Sequence, residues 1–533
     1  MPESFDIVIE NGKVIDGTGN PSFHTDIGIC GDRITALDNL KDASASRRID
    51  AVGMTVCPGF VDAHCHTDAY AEYYPNAEGK VMQGITTDVC GLCGGSAAPV
   101  GEGHIDEYRS RNLDFIPEEK FRRIDPVSFD EYLRKIDLQG NATNMALFAG
   151  NGNLRTHAVG YEDRLPSSSE LSEMKNLLRR CMEEGAFGLS SGLTYVPSMF
   201  ASMEELLLLC EVMKPYGGIY DSHMRNESDR VVESVEEVIG IARKSGCRGH
   251  ISHLKVMGKQ NRGKAEKCLE LIEEANKKGV AVTFDVYPYT AGSTALKTLL
   301  PGWVLSKGFG DFSVLENERE RILKDLESGG WDNISLSCGY EGIFVSSAGG
   351  LSEYEGKSLA GIADELGTTP YDAIVKVLRD TSGQAEMIYH SMSEEDVRMF
   401  LKSEYCVLGT DAYARHYRGP TAYGTPHPRN YGAFPRYLRR YVLESKLLGQ
   451  EEGIRKITGL PSRIFGLKDR GILAPGNYAD ISVVNFDSVA DTATWEKPAQ
   501  KPKGIDWVLI NGKVAVEQGT TADIRPGKGL RHG

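Results

Sequence analysis

No run of apolar residues in this chain is long enough to cross a bilayer as a helix, which excludes a helical membrane protein. No secretory leader is expected either. The chain opens Met1-Pro-Glu-Ser-Phe-Asp, acidic residues followed by an alternating strand pattern. There is no basic excess: the formal net charge is −15, spread without long acidic blocks. That argues against nucleic acid or anionic membranes as partners. The cysteines lack the even count and clustering of a disulfide framework. Eleven are scattered over 533 residues, so free thiols in a reducing, cytoplasmic setting are expected. The remainder, 41% hydrophobic and 25% charged, suits a globular protein with a sizeable core.

The two ends of the chain resemble each other. Residues 5–17 alternate apolar and polar side chains around Asn11-Gly12, a type I′ hairpin signal, and residues 507–516 repeat the design around Asn511-Gly512. With a further strand pattern at 480–486, both termini are expected to build one small β-sandwich domain from residues 1–57 and 467–533. The middle is different. Short apolar runs at 54–63, 85–89, 145–149, 186–190, 218–221, 249–252, 280–286 and 405–409 read as strands. Between them, 168–184, 227–244 and 264–278 carry apolar residues at helical spacing, the last two stopped by Gly246 and Gly279. Strand alternating with helix implies a parallel sheet, and eight strands imply a closed (β/α)8 TIM-like barrel over 58–466. An open doubly wound sheet is the competitor. It carries a glycine-rich phosphate turn after its first strand, where this chain has His64-Cys65-His66. The connection between strands seven and eight is too long for a plain loop, so an insertion at about 291–400 is expected to cover the site.

In a barrel of this kind the chemistry sits at the C-terminal ends of the strands. Five expected strand ends carry reactive side chains: His64 and His66, Cys90 and Cys93, His223, His253, and Asp411. Singly, each has a plain explanation. Cys93 is a small buried hydrophobe, Asp411 a helix cap, His223 and His253 satisfied core histidines. Together they place imidazole, thiolate and carboxylate on one rim. Thiolate with imidazole suits Zn²⁺, and a hard oxygen-only cage for Mg²⁺ or Ca²⁺ is absent. A catalytic zinc keeps a position for water, whose pKa drops to about 7. The hydroxide attacks a carbonyl, and Asp411 is placed to move the proton to the leaving group.

These residues resemble the amidohydrolase superfamily and, within it, the D-aminoacylase (N-acyl-D-amino-acid deacylase) family. The stretches that carry the resemblance include Gly59-Phe-Val-Asp-Ala-His64-Cys-His66, Cys93-Gly-Gly-Ser-Ala-Ala-Pro, Gly188-Leu-Ser-Ser-Gly-Leu-Thr-Tyr195, Ser222-His-Met-Arg225, Ile251-Ser-His-Leu-Lys255, Asp285-Val-Tyr-Pro-Tyr-Thr-Ala-Gly-Ser293 and His427-Pro-Arg-Asn-Tyr-Gly. The resemblance implies one tight zinc site on Cys93, His223 and His253. A second, weaker site would use His64, His66 and Asp411, sharing Cys93. Many superfamily members bridge two metals with a modified lysine on strand four. Residues 185–197 hold no lysine, and Cys93 would stand in for it. Lys255, two residues past His253, is a candidate partner for the free carboxylate of the substrate, with Arg225 and Arg429 as further candidates. Tyr195, Tyr287 and Ser293 lie in motifs that line the family's pocket. Two features depart from the pattern. Asn151 stands where the family usually has a histidine, and Cys90, Asp88 and the stretch 107–123 have no place in it. The implied reaction is hydrolysis of a small-molecule N-acyl-D-amino acid to a carboxylate and a free D-amino acid. The alternatives are a cyclic-amide hydrolase of the hydantoinase or dihydropyrimidinase kind and a non-catalytic barrel scaffold. Oligomeric state is open.

Overall fold

The computed structural model describes residues 4–111, 125–308, 311–329 and 331–533. Most of the stretch 107–123 lies outside them. Eight parallel strands form the barrel: Phe60–Asp62, Ile85–Cys90, Asn144–Leu147 continued by Ala149–Gly150, Gly188–Gly192, Ile219–His223, Arg248–Ile251, Val282–Val286 and Cys406–Leu408. Strand eight closes on strand one, where Ala63 N–H donates to the Leu408 carbonyl at 3.1 Å. The helices that wrap the barrel follow from pattern and punctuation. Val231–Ser245 buries Val231, Val235, Val238, Ile239 and Ala242 on its inner face. It ends at Gly246, whose φ of +73° suits a residue without Cβ. Ser168–Glu183 starts at a capping box between Ser167 and Glu170.

The terminal domain packs a four-stranded sheet of N-terminal strands against a seven-stranded sheet drawn from both ends of the chain. Here the structure departs from the sequence reading twice. Asn511-Gly512 does turn a hairpin, pairing Ile510 with Lys513. Asn11-Gly12 does not. Phe5–Glu10 pairs in the smaller sheet, whereas Lys13–Val14 pairs with Phe23–His24 and Thr55–Pro58 in the larger one. The same dipeptide thus carries the chain from one layer to the other. The run 54–63 is likewise two strands. Thr55–Pro58 belongs to the sandwich and Phe60–Asp62 to the barrel. Gly59 is the joint, and a Cβ there would come within 2.2 Å of the Thr86 side chain.

Barrel strand three is interrupted at Phe148, and a C-terminal segment fills the resulting gap. Gly529–Leu530 pairs in parallel with Asn144–Leu147, so the tail takes up hydrogen bonds on the side away from strand two. The insertion after strand seven has a three-stranded antiparallel sheet, Gly292–Ala295, Glu386–Tyr389 and Ile343–Ser347, over its own apolar cluster. Its first strand sits beside the mouth of the barrel.

Candidate metal centre

His64 is set by the clamping of strand one's continuation: Cys65 N–H donates to the Val89 carbonyl and His66 N–H to the Ala412 carbonyl. His223 ends strand five. Cys93, His253 and Asp411 sit in turns just past strands two, six and eight, with φ of +54°, +34° and +51°. Left-handed backbone is unusual for such residues and aims each side chain inward from its turn. Next to Cys93, Gly94 has no room for a Cβ, which would lie 2.5 Å from the Gly192 nitrogen.

Four donor atoms converge. Cys93 Sγ lies 3.4 Å from His64 Nε2, 3.6 Å from His223 Nδ1 and 3.3 Å from His253 Nε2. His223 Nδ1 and His253 Nε2 are 3.0 Å apart. A tetrahedral ion with bonds of roughly 2.0–2.3 Å has donor–donor edges of about 3.3–3.8 Å, so the set is close to the size such an ion needs. The opposite nitrogens of His223 and His253 are hydrogen-bonded as metal-binding imidazoles require, and that of His64 faces a carboxylate. His223 Nε2 is 2.8 Å from Thr194 Oγ1, His253 Nδ1 is 3.1 Å from Glu227 Oε1, and His64 Nδ1 is 3.4 Å from Asp285 Oδ2. Asp285 is shared with His250 at 3.2 Å. On the other flank, Asp411 Oδ1 lies 3.2 Å from His66 Nε2 and 3.7 Å from His64 Nε2, and Asp411 Oδ2 pairs with Arg429 Nη1 at 2.8 Å.

The electrostatics agree with the geometry. Burial pushes the Cys93 thiol up, but His64, His253 and His223 around it outweigh burial and hold it well below its usual value. Burial disfavours the charged forms of His66 and His253. Their thiolate and carboxylate neighbours nonetheless raise both to about 9. A thiolate that demands positive charge nearby is the partner a divalent cation satisfies. Asp411 is buried, yet Arg429 and the neighbouring imidazoles hold it well below the ordinary carboxylate range. Asp62, Cys65 and Asp88 also cluster, but the Lys80 ammonium sits among them, paired with Asp62 and 3.4 Å from Asp88. That group is a buried ion-pair network.

The model of the amidohydrolase family matches residues 409–516. Over all 533 residues the chain is 36% identical to an N-acyl-D-glutamate deacylase of Alcaligenes xylosoxydans xylosoxydans, covering 97% of it. It is 33% identical to a D-aminoacylase of the same organism over 510 residues, 96% of this chain and 94% of the relative. The protein belongs to the D-aminoacylase family of amidohydrolases. An N-acyl-D-glutamate deacylase of Bordetella bronchiseptica, solved with zinc and a phosphonate inhibitor, superposes with a TM-score of 0.83 at 33% identity. The match spans 99% of this chain and 100% of that one, so the barrel-plus-sandwich architecture is the family's own.

A cavity of about 490 Å³ opens above the donors. Cys93, His66, His223, His253 and Asp411 form its floor, and Tyr195, Lys255 and Ser293 line it. Tyr195 packs edge-on to His223 at 4.8 Å, with its hydroxyl 3.3 Å from Thr294 Oγ1. Ser293 donates to the Met387 carbonyl at 2.8 Å. Lys255 Nζ is 2.7 Å from Glu227 Oε1, so this cation in the wall already has a counter-charge. Tyr287 packs between Lys255 and Arg429, whose cationic ends lie 5.7 Å and 4.9 Å from its ring centre. It is 3% exposed, and its hydroxyl has no hydrogen-bond partner.

Arg225 is a correction to the sequence reading. Its guanidinium is taken by Glu237, at 2.9 and 3.1 Å, and by the Met199 and Ala201 carbonyls. It faces a separate cavity behind His223. Strand five stops at His223, so Arg225 lies in the loop past its end. Asn151 is fully buried and accepts from Ser198 Oγ at 2.7 Å, away from the donors. Cys90 is buried in the barrel core. Glu227, Asp285 and Thr194, which steady the imidazoles, were not assigned a role from sequence. Glu227 had one signal, an acid four residues after His223.

Proposed function

We propose that this protein hydrolyses the amide bond of N-acyl-D-amino acids, releasing a carboxylate and a free D-amino acid. The observation that carries the reading is the convergence of Cys93 Sγ, His64 Nε2, His223 Nδ1 and His253 Nε2, 3.0–3.6 Å apart along the measured edges, beside Asp411 at the floor of a substrate-sized cavity. Cys93, His223 and His253 would hold a tight zinc ion, and His64, His66 and Asp411 a weaker second one. Zinc held there supplies Lewis acidity and makes water nucleophilic near neutral pH. Asp411 takes the proton of the attacking water and delivers it to the leaving nitrogen. Arg429 orients that carboxylate. Burial keeps the Tyr195 phenol protonated, so it can donate to the oxygen that gains charge. Lys255, Ser293 and the unpartnered Tyr287 hydroxyl bind the free carboxylate of the substrate.

A panel of N-acetyl-D- and N-acetyl-L-amino acids and hydantoins, given to zinc-reconstituted protein, tests this by released amine or ring opening. D-specific amine release is expected. Ring opening of hydantoins without amine release would replace the proposal with the cyclic-amide reading. A zinc-loaded, folded protein inert on the whole panel would leave the non-catalytic scaffold.

A further inference from the structure

His427 is 1% exposed and uses both of its ring nitrogens. Nδ1 accepts the Arg429 backbone N–H at 3.0 Å. The ring proton therefore sits on Nε2, which donates to the Ala291 carbonyl at 2.9 Å. Burial and the neighbouring Arg429 cation push the pKa of His427 well below the usual histidine value, so the ring stays neutral and keeps this tautomer.

The two bonds serve different parts of the site. Ala291 immediately precedes the insertion strand Gly292–Ala295, which carries Ser293. Arg429 opens the helix Arg429–Arg436. Its guanidinium pairs with Asp411 Oδ2 at 2.8 Å and donates to the Ser293 carbonyl at 3.2 Å. One imidazole thus closes a ring of contacts through Ala291, Arg429 and Ser293.

This imidazole is also touched by the terminal β-domain. Residues 491–502 leave that domain between strands Ile481–Val484 and Ile505–Ile510, and Ala490 pairs with Lys503 at the base of the excursion. Asp491 holds it to the barrel side through Arg436 at 3.3 Å. Trp495 meets His427 edge-on at 4.9 Å, and it reaches His390 of the insertion at 4.9 Å and Tyr289 at 6.2 Å. The indole remains 37% exposed, so it can be changed without opening a core.

Resting on the proposed deacylase activity, we propose that His427 is a positioning residue for that reaction. One ring nitrogen sets the strand that offers Ser293 to the substrate's carboxylate. The other sets the Arg429–Asp411 pair. Trp495 seats the ring, which gives the terminal domain a part in turnover from outside the barrel.

Two near-isosteres separate the two bonds. Asparagine places an oxygen where Nδ1 stands, keeping the acceptor for Arg429 N–H and losing the Ala291 bond. Glutamine places an amide N–H where Nε2 stands, keeping the Ala291 bond and losing the acceptor. The assay uses the zinc-loaded full chain and the N-acetyl-D-amino acid that wild type turns over fastest. His427→Asn is expected to raise KM about tenfold with kcat within about threefold, and His427→Gln to lower kcat about tenfold with KM within about threefold. Trp495→Ala is expected to lower kcat/KM about fivefold, and Trp495→Phe to restore most of it. Zinc content and the denaturation midpoint are read alongside. Folded, zinc-replete His427 variants that match wild type, or that lose kcat and KM in the same way as each other, overturn the inference. Where an isostere does not fold, the Trp495 pair decides: full kcat/KM in Trp495→Ala overturns it. Wild type inert on every D-substrate is a different result, which removes the proposed activity and this inference with it.

Discussion

Replacing Glu227 by glutamine separates charge from shape in the layer behind the metal donors. Glu227 is 1% exposed, and its Oε1 accepts from His253 Nδ1 at 3.1 Å and from Lys255 at 2.7 Å. Burial pushes its pKa up, but Lys255, His223 and His253 overcome that and bring it from 4.5 to about 2. A drop of that size corresponds to roughly 3 kcal/mol favouring the ionised form. The folded pKa lies below the unfolded one. The stabilisation is therefore complete above about pH 4.5 and is lost as pH falls towards 2. At neutral pH the variant forgoes all of it and leaves the Lys255 ammonium buried without a counter-charge. Breaking a buried pair from one side costs about 3–5 kcal/mol, the same range by an independent route. Glutamine still offers an oxygen to His253, so the ring keeps its tautomer but loses the nearby negative charge. Zinc affinity should fall about 10–100-fold. Chemical denaturation of zinc-free protein measures the first effect, and zinc competition against a chromophoric chelator measures the second. A variant within about threefold of wild type in zinc affinity and about 0.5 kcal/mol in stability would show that Glu227 does not steady the donors.

Asp411→Asn should retain zinc and lose turnover by about 10²–10⁴-fold, whereas Cys93→Ala should lose both, as read by metal analysis beside amine release. Arg429→Met should raise the Asp411 pKa, since the guanidinium is what most lowers it. The acid limb of the kcat/KM profile then moves to higher pH, and an unmoved limb would separate Asp411 from the proton transfer. Deleting 526–533 removes the bonds of Gly527, Lys528, Gly529 and His532 to the barrel, at about 1 kcal/mol each, and should lower the denaturation midpoint by the equivalent of several kcal/mol.

The barrel was legible because its signals are local and repeated. Apolar runs of strand length alternate with helices that stop at glycine, and each of the eight expected runs overlaps an observed strand. Which sheet a strand joins was not legible. Asn11-Gly12 and Asn511-Gly512 are the same dipeptide, yet only the second turns a hairpin, because partner choice is decided by which faces are buried against which layer. The converging thiol, imidazoles and carboxylate were legible as reactive residues at strand ends. Their supporting acids were not, since Asp285 and Glu227 matter through ring nitrogens brought to them from other elements. A motif also misled: it made Arg225 a candidate for the substrate's carboxylate, though Glu237 holds it elsewhere.

The left-handed turns supply the remaining piece, because no residue pattern announces them. Cys93, His253 and Asp411 each adopt a backbone that costs roughly 1–2 kcal/mol for an L-residue, together a large share of the 5–15 kcal/mol typical of a folded domain. Such a cost persists only where neighbours over-determine the turn. Around Asp411 they do: Asp411 N–H donates to the His64 carbonyl at 2.8 Å, and Thr410 bonds Asp62 through both N–H and hydroxyl at 2.7 and 2.6 Å. Past His253, Leu254 N–H is fixed to the Asp285 carbonyl at 2.8 Å, and beside Cys93 the Gly94 N–H reaches Ser190 Oγ at 3.3 Å. The Lys80–Asp62–Asp88 network below the site therefore bears on the position of Asp411 without touching it. It anchors the Thr410 turn, and that turn sets where the Asp411 carboxylate stands relative to the donors.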